Sequence, residues 1–256
     1  MMKDQFEALF NAVQTFAHTF ANFPRTQNLA NLPGNLRNNL LQAAGTNGAF
    51  PMLSNPNTRY FLVARMIYDW MCYKVFLPEA FSGLNEGFDR SVAVSRSKLI
   101  SNTTIEGTRS VYLQDIASEY KKLQKVDQYG NFMANRSHTR AMELVEAIRP
   151  LKDQGKDPHD FNALLGVVRQ AYRVAEKMFT DAAEYHFGFP NVNQNFRDVD
   201  MRNFDENFSH MHPQAAMARG CVVKLAITPQ VIRRTIDTNG VCDTKTIVRS
   251  NVLLKY

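Results

Sequence analysis

Apolar residues recur along the first part of the chain at steps of three and four. Phe6, Leu9, Phe10, Val13, Phe16, Ala17 and Phe20 do so most clearly, which predicts an amphipathic helix over 3–22 with a phenylalanine face, ended by Pro24. Pro33, then Leu36, Leu40 and Leu41, then Gly45 predict a short second helix with a first-turn proline and a C-terminal glycine. GTNGAFPMLSNPN reads as a loop from which Asn57 or a neighbour caps the next helix. That helix, Thr58 to Leu77 (TRYFLVARMIYDWMCYKVFL), is apolar on nearly every side and holds the sole tryptophan, Trp70. A helix apolar all round is a buried one, so this stretch reads as the centre of the fold, with Pro78 marking its end.

Residues 79–102 are ambiguous: SGLNEGFD is turn-like, and VAVSRSKLI fits a short helix or a strand. Thr103 with Glu106 forms a capping box that opens a helix over 104–126, with Tyr112, Ile116, Tyr120, Leu123 and Val126 as its apolar stripe. Another helix is predicted over 138–149, stopping at Pro150, followed by a polar loop over 152–156. Asp157 then caps a long helix opened by Pro158, with Phe161, Leu164, Val168, Tyr172, Ala175, Met178 and Phe179 inward. From Phe187 to Gly220 no period is sustained. This Phe/Asn-rich stretch reads as a long irregular segment, ordered by insertion of Phe187, Phe189, Phe196, Phe204 and Phe208 into the helical body.

Beyond Gly220 the period switches to two in CVVKLAIT, QVIRRTID and TIVRSNVLL, and Asn239-Gly240 is a hairpin signal. A two-stranded hairpin is not stable alone, so these strands must rest on the helices and can also pair with a partner. The expected fold is mainly α: six or seven helices bundled around about 58–77, with a small C-terminal antiparallel β element. One domain is expected over 1–256, made of a helical body (1–186), the irregular segment (187–220) and a β hairpin region (221–256).

Composition leaves this picture intact. A chain of 256 residues, 45% hydrophobic and 21% charged, buries a large core without disulfide or metal staples. Cys72, Cys221 and Cys242 have neither metal-type nor disulfide-type spacing, which suits a reducing compartment. MMKDQFEALF has acids where a signal peptide needs an apolar run, and four charges interrupt the central helix. The expectation is an intracellular protein, cytoplasmic or nuclear, with no membrane span.

Charge narrows the candidates further. The formal net charge is +6, and residues 221–256 carry Lys224, Arg233, Arg234, Lys245, Arg249 and Lys255 against Asp237 and Asp243. These strands offer either a surface for nucleic-acid phosphates or an acidic partner, or a solvated sheet face whose cations discourage edge pairing. His210 and His212 are the closest histidine pair, but their spacing with Asp198, Asp200, Asp205 and Glu206 matches no metal class, so neither metal nor cofactor is expected. Ser95-Arg-Ser-Lys98 and Ser118-Glu-Tyr-Lys121 both fit an SxxK pattern without the motifs that accompany it, and phosphate-cradling glycine loops are lacking. Arg59, Arg65 and Asp69 stand out within the central helix. A charge in a buried helix is costly unless paired, and Arg65 and Asp69 lie four apart on one face. The trio is either a structural network or the floor of a ligand pocket.

NPNTRYFLVARMIYDWM, the terminal VRSNVLLKY and TFANFPRTQNLANLP together resemble uncharacterised helical proteins of filamentous ascomycete fungi. The resemblance covers the N-terminal third and the C-terminal strands, leaves out 187–220, and implies a fungal, intracellular, mostly helical protein with no assigned activity. The function expected first is a non-enzymatic interaction or regulatory module, with a protein partner or self-association. The alternatives are a nucleic-acid-associated protein using the basic strands and an enzyme with a pocket at Arg59, Arg65 and Asp69.

Overall fold

The computed structural model describes residues 1–22, 29–101, 106–152 and 158–256. Pro24, the Thr103 half of the capping box, the polar loop beyond Lys152 and the Asp157 cap lie outside the described residues. Helix α1 (Met2–Phe20) buries the predicted phenylalanine face. Helix α2 (Gly34–Ala44) ends at Gly45, whose φ of 73° suits a residue without Cβ.

The loop expected next is instead a helix, α3 (Thr46–Ser54), which carries Pro51 inside it. Proline removes one intrahelical bond, and burial of Ala49, Met52 and Leu53 outweighs that loss. Asn55 then accepts a 2.9 Å hydrogen bond from the Asn57 amide and caps helix α4 (Pro56–Lys74). Helix α4 is the predicted central helix, but it is not enclosed throughout. Phe61 to Tyr68 are buried, whereas Trp70 is half-buried and Tyr73 is 71% exposed. It stops three residues short of Leu77, where Pro78 opens a 3-10 turn (Pro78–Phe81).

The ambiguous stretch resolves as helix α5 (Glu86–Ile100), capped by Asn85, whose side chain accepts from the Phe88 amide. Helix α6 (Glu106–Leu123) turns Leu113 inward rather than the half-buried Tyr112. Helix α7 (Tyr129–Ile148) begins nine residues before the predicted start, since Tyr129 and Met133 pack on the core despite Gly130 and Asn131 between them. Helix α8 (Pro158–Thr180) lies against α1 and α7 as its stripe requires. With α9 (Pro213–Ala218), nine helices occur among the described residues, against six or seven expected.

The β element is larger than a C-terminal hairpin. Strand β1 (Glu184–Gly188) pairs antiparallel with β4 (Gln230–Ile236), and β4 with β5 (Cys242–Val248), which forms the predicted hairpin across Asn239-Gly240. A second sheet has the order β2-β6-β3, with β2 (Met201–Asn203) parallel and β3 (Val222–Ala226) antiparallel to β6 (Ser250–Lys255). TIVRSNVLL is therefore two strands that change sheets at Arg249. The first sheet rests on the helices through Tyr185, Phe187, Val231 and Val248, and the second closes a small core of its own around Met201, Val223 and Leu254.

The segment over 187–220 is thus ordered, and its phenylalanines do insert, though in different places. Phe187 stacks on Phe76 at 4.9 Å between ring centroids, Phe189 lies under Arg65, and Phe196 fills the second core. Phe204 remains partly exposed at the edge of Phe61, and Phe208 packs on Tyr256.

Candidate functional site

Where α4 surfaces, a cleft of about 450 Å3 opens between it, α2, α7 and the chain following β1. Arg65, Asp69 and Tyr73 lie at steps of four along one ridge of α4, with Met66 and Trp70 beside them. Asn39 and Gln42 come from α2, Leu144 and Ile148 from α7, and Phe189 and Asn191 from the returning chain. The predicted Arg65–Asp69 pair forms at 2.8 Å, between Nε and Oδ2. Arg65 also donates to the Ala226 carbonyl at 3.0 Å and lies 3.5 Å above the Phe189 ring. Its guanidinium is therefore held flat by a carboxylate, a strand carbonyl and an aromatic face. Asp69, whose Oδ2 accepts from Arg65, is 27% exposed and lines the cleft. Burial pushes the Cys72 thiol well above its ordinary range, so this neighbour is a packed thiol rather than a nucleophile.

Arg59 does not join that pair. It is buried near the start of α4, donates to the Ser54 carbonyl at 3.2 Å, and its pKa is lowered by desolvation. The trio singled out from the sequence thus splits into a pair at a cleft and an arginine that ties α4 to the end of α3.

The three arginines of the basic strands are each paired with carboxylates. Arg233 makes a bidentate pair with Asp181, at 2.8 and 2.9 Å. Arg234 bridges Glu184 at 2.8 Å and Glu106 at 2.7 Å, and Arg109 reaches Glu184 from α6. Burial disfavours the charge on Glu184, but contacts from His186, Arg234 and Arg109 outweigh it and hold its carboxyl down to about 2. Asp181 is likewise lowered: burial opposes the shift, and bonds from Arg233 and Tyr185 prevail. Arg249 pairs with Asp198 at 2.9 Å. Lys224 is half-buried and lines a separate hollow with Asp205 and Glu206, while Lys245 is exposed and makes no ion pair among the described residues. No continuous positive face results from these five residues. The partners Asp181, Glu184 and Glu106 were missed because they come from a helix end, a strand and another helix, and only Glu106 with Arg109 shows a helical spacing in the sequence.

His212 caps α9 by accepting from the Gln214 amide, and among the described residues no three His, Cys, Asp or Glu side chains converge in a way that could hold a metal ion. Of the two SxxK serines, Ser95 is buried on α5 and Ser118 is exposed on α6. None of the described helices is long and apolar enough to cross a membrane. Searches for a related family model, a curated protein or a solved structure gave no match.

Proposed function

We propose that this chain is a non-enzymatic binding module whose ligand site is the cleft beside Arg65, Asp69 and Trp70, and that it takes a neutral, polyhydroxylated ring compound of the saccharide type. The observation that carries this reading is the half-buried Trp70 beside the exposed Tyr73 in a cleft of about 450 Å3, within the size range of small-ligand sites. Aromatic faces of this kind suit the apolar face of a ring, and their flat, stiff side chains lose little entropy on contact. The amides of Asn39, Gln42 and Asn191 and the partly exposed carboxylate of Asp69 supply donors and acceptors for hydroxyl groups. The internal Arg65–Asp69 pair cancels its own charge, which favours a neutral ligand over an anion.

The single tryptophan is its own reporter. Titration with cellobiose and with chitotriose is expected to shift Trp70 emission saturably, and the variants Gln42→Ala and Asn191→Ala to weaken that response with the fold intact by circular dichroism. Unchanged emission and no heat of binding with either probe would remove the saccharide reading.

The nucleic-acid reading keeps the net charge of +6 in its favour, but Arg233, Arg234 and Arg249 each already hold a carboxylate. Protein purified at low salt should accordingly carry no 260 nm excess, and an excess removed by salt would restore that reading.

A further inference from the structure

Strand β5 is the outer strand of its sheet: it pairs with β4 alone, and no other backbone bond reaches residues 242–247 among the described residues. Residues 241–245 are all exposed. Asp243 and Lys245 alternate onto the same face of this strand, opposite Thr235 and Arg233 of β4, and neither makes an ion pair among the described residues. Arg233, directly across the strand pair from Lys245, is occupied by Asp181. An exposed edge is usually blunted by lysine, because a foreign strand brings no matching charge. Here the edge carries its own complement. In an antiparallel pairing of two identical strands about Thr244, position 243 of one strand falls opposite position 245 of the other. The same operation places Lys245 opposite Asp243, so a single two-fold axis pairs both charges twice over.

We propose that this edge is a homodimer interface, in which the β5 strands of two copies pair antiparallel about a two-fold axis at Thr244 and Asp243 of each copy faces Lys245 of the other. The two three-stranded sheets then become one of six strands, β1-β4-β5 followed by the partner's β5-β4-β1. Shifting the register by one residue sets Asp243 against Thr244 and loses both charge pairs, so the charges also fix the register. A contact made by one short edge is small, and the dimer is expected to be weak and concentration-dependent.

The test is sedimentation equilibrium of the full chain over a concentration series, with Asp243→Lys, Lys245→Asp and the double exchange of both. The wild type is expected to self-associate. Each single reversal sets like charges opposite each other at two places and should weaken the dimer roughly tenfold or more. The double exchange should restore it. An equimolar mixture of the two single variants should form a heterodimer although neither pairs with itself, which a misfolded variant cannot do. A wild type that stays monomeric at every concentration overturns the proposal. So do single variants that dimerise as tightly as the wild type, and so does a mixture and a double exchange that both remain monomeric.

Discussion

Arg65 and Arg234 are both drawn largely out of solvent, with side chains 10% and 23% exposed, and both are held by carboxylates, but by opposite routes. Arg65 finds Asp69 one helical turn away, so its pair is written in the sequence as a spacing of four. Arg234 finds Glu184 and Glu106, which are 50 and 128 residues distant and reach it only because β1 lies beside β4 and α6 crosses the sheet. A helix shows its ion pairs in its own period, whereas a strand takes partners from wherever the topology delivers them. Two of the six cations on the C-terminal strands, Arg233 and Arg234, therefore fasten the sheet to carboxylates at its helix side, Arg249 makes an exposed pair with Asp198, and Lys224, Lys245 and Lys255 make no ion pair among the described residues.

The sharpest way to break this contrast is to reverse the distant arginine. Arg234→Glu sets a third carboxylate against Glu184 and Glu106 and leaves Arg109 as the one cation facing three mutually repelling acids. The expected loss is about 3–5 kcal/mol, read from urea midpoints, with the β1-β4-β5 sheet released from α6. If Arg234 were a solvated phosphate-binding residue, the same change would leave the midpoint within about 0.5 kcal/mol. Arg65→Ala comes next. It unpairs Asp69, deprives the Ala226 carbonyl of its donor and uncovers Phe189, for about 2–4 kcal/mol, eased because Asp69 can rehydrate at the cleft. Replacing Asp69 as well, by Leu at both positions, should recover part of that loss, since no charge is then left unpaired.

The same division explains what was legible in the sequence. Helices α1, α6 and α8 declare themselves because each buries a stripe at steps of three and four, α4 because it is apolar on nearly every side, and the 239–240 hairpin because Asn-Gly fits its turn. Helix α3 was hidden by Pro51, whose local penalty is overruled by the burial of Met52 and Leu53, a tertiary fact. Strands β1 and β2 were hidden because each is short and takes a partner far along the chain, β1 from β4 and β2 from β6. Of the candidate site, the Arg65–Asp69 pair was readable and the surfacing of Trp70 was not, since exposure there depends on where α2 and α7 leave a gap. Arg59 was grouped with them by helix membership alone, and six residues carry it more than a turn away along the axis.

Acid offers a gentler probe of the distant network. The Glu184 carboxyl is held at about 2 in the folded chain, below its ordinary value of 4.5, so its contribution is fully present above about pH 5 and is lost as pH falls toward 2. Asp181 shifts in the same direction and adds to the slope. On the order of 2 kcal/mol should disappear from the unfolding free energy across that window once solvent screening is allowed for. In Glu184→Gln the slope should flatten, and an unchanged slope in that variant would mean that the acid loss arises outside the distant network.

The smallest effect belongs to Arg249, where the chain leaves one sheet for the other. Its pair with Asp198, at 2.9 Å, is nearly as short as those of Arg65 and Arg234, and Arg249 also donates to the Asp198 carbonyl at 2.8 Å. Both side chains, however, remain more than 40% exposed, at 45% and 43%, so water and salt compete for each charge. Arg249→Ala should cost only about 0.2–1 kcal/mol, and a double-mutant cycle with Asp198→Ala should return a coupling in that range that shrinks further in molar salt. A coupling as large as that between Arg234 and Glu184 would mean that the corner between β5 and β6 is fastened by its ion pair. The small value expected instead leaves that corner to the apolar residues on either side of it, Val248 in the helical core and Val252 in the second.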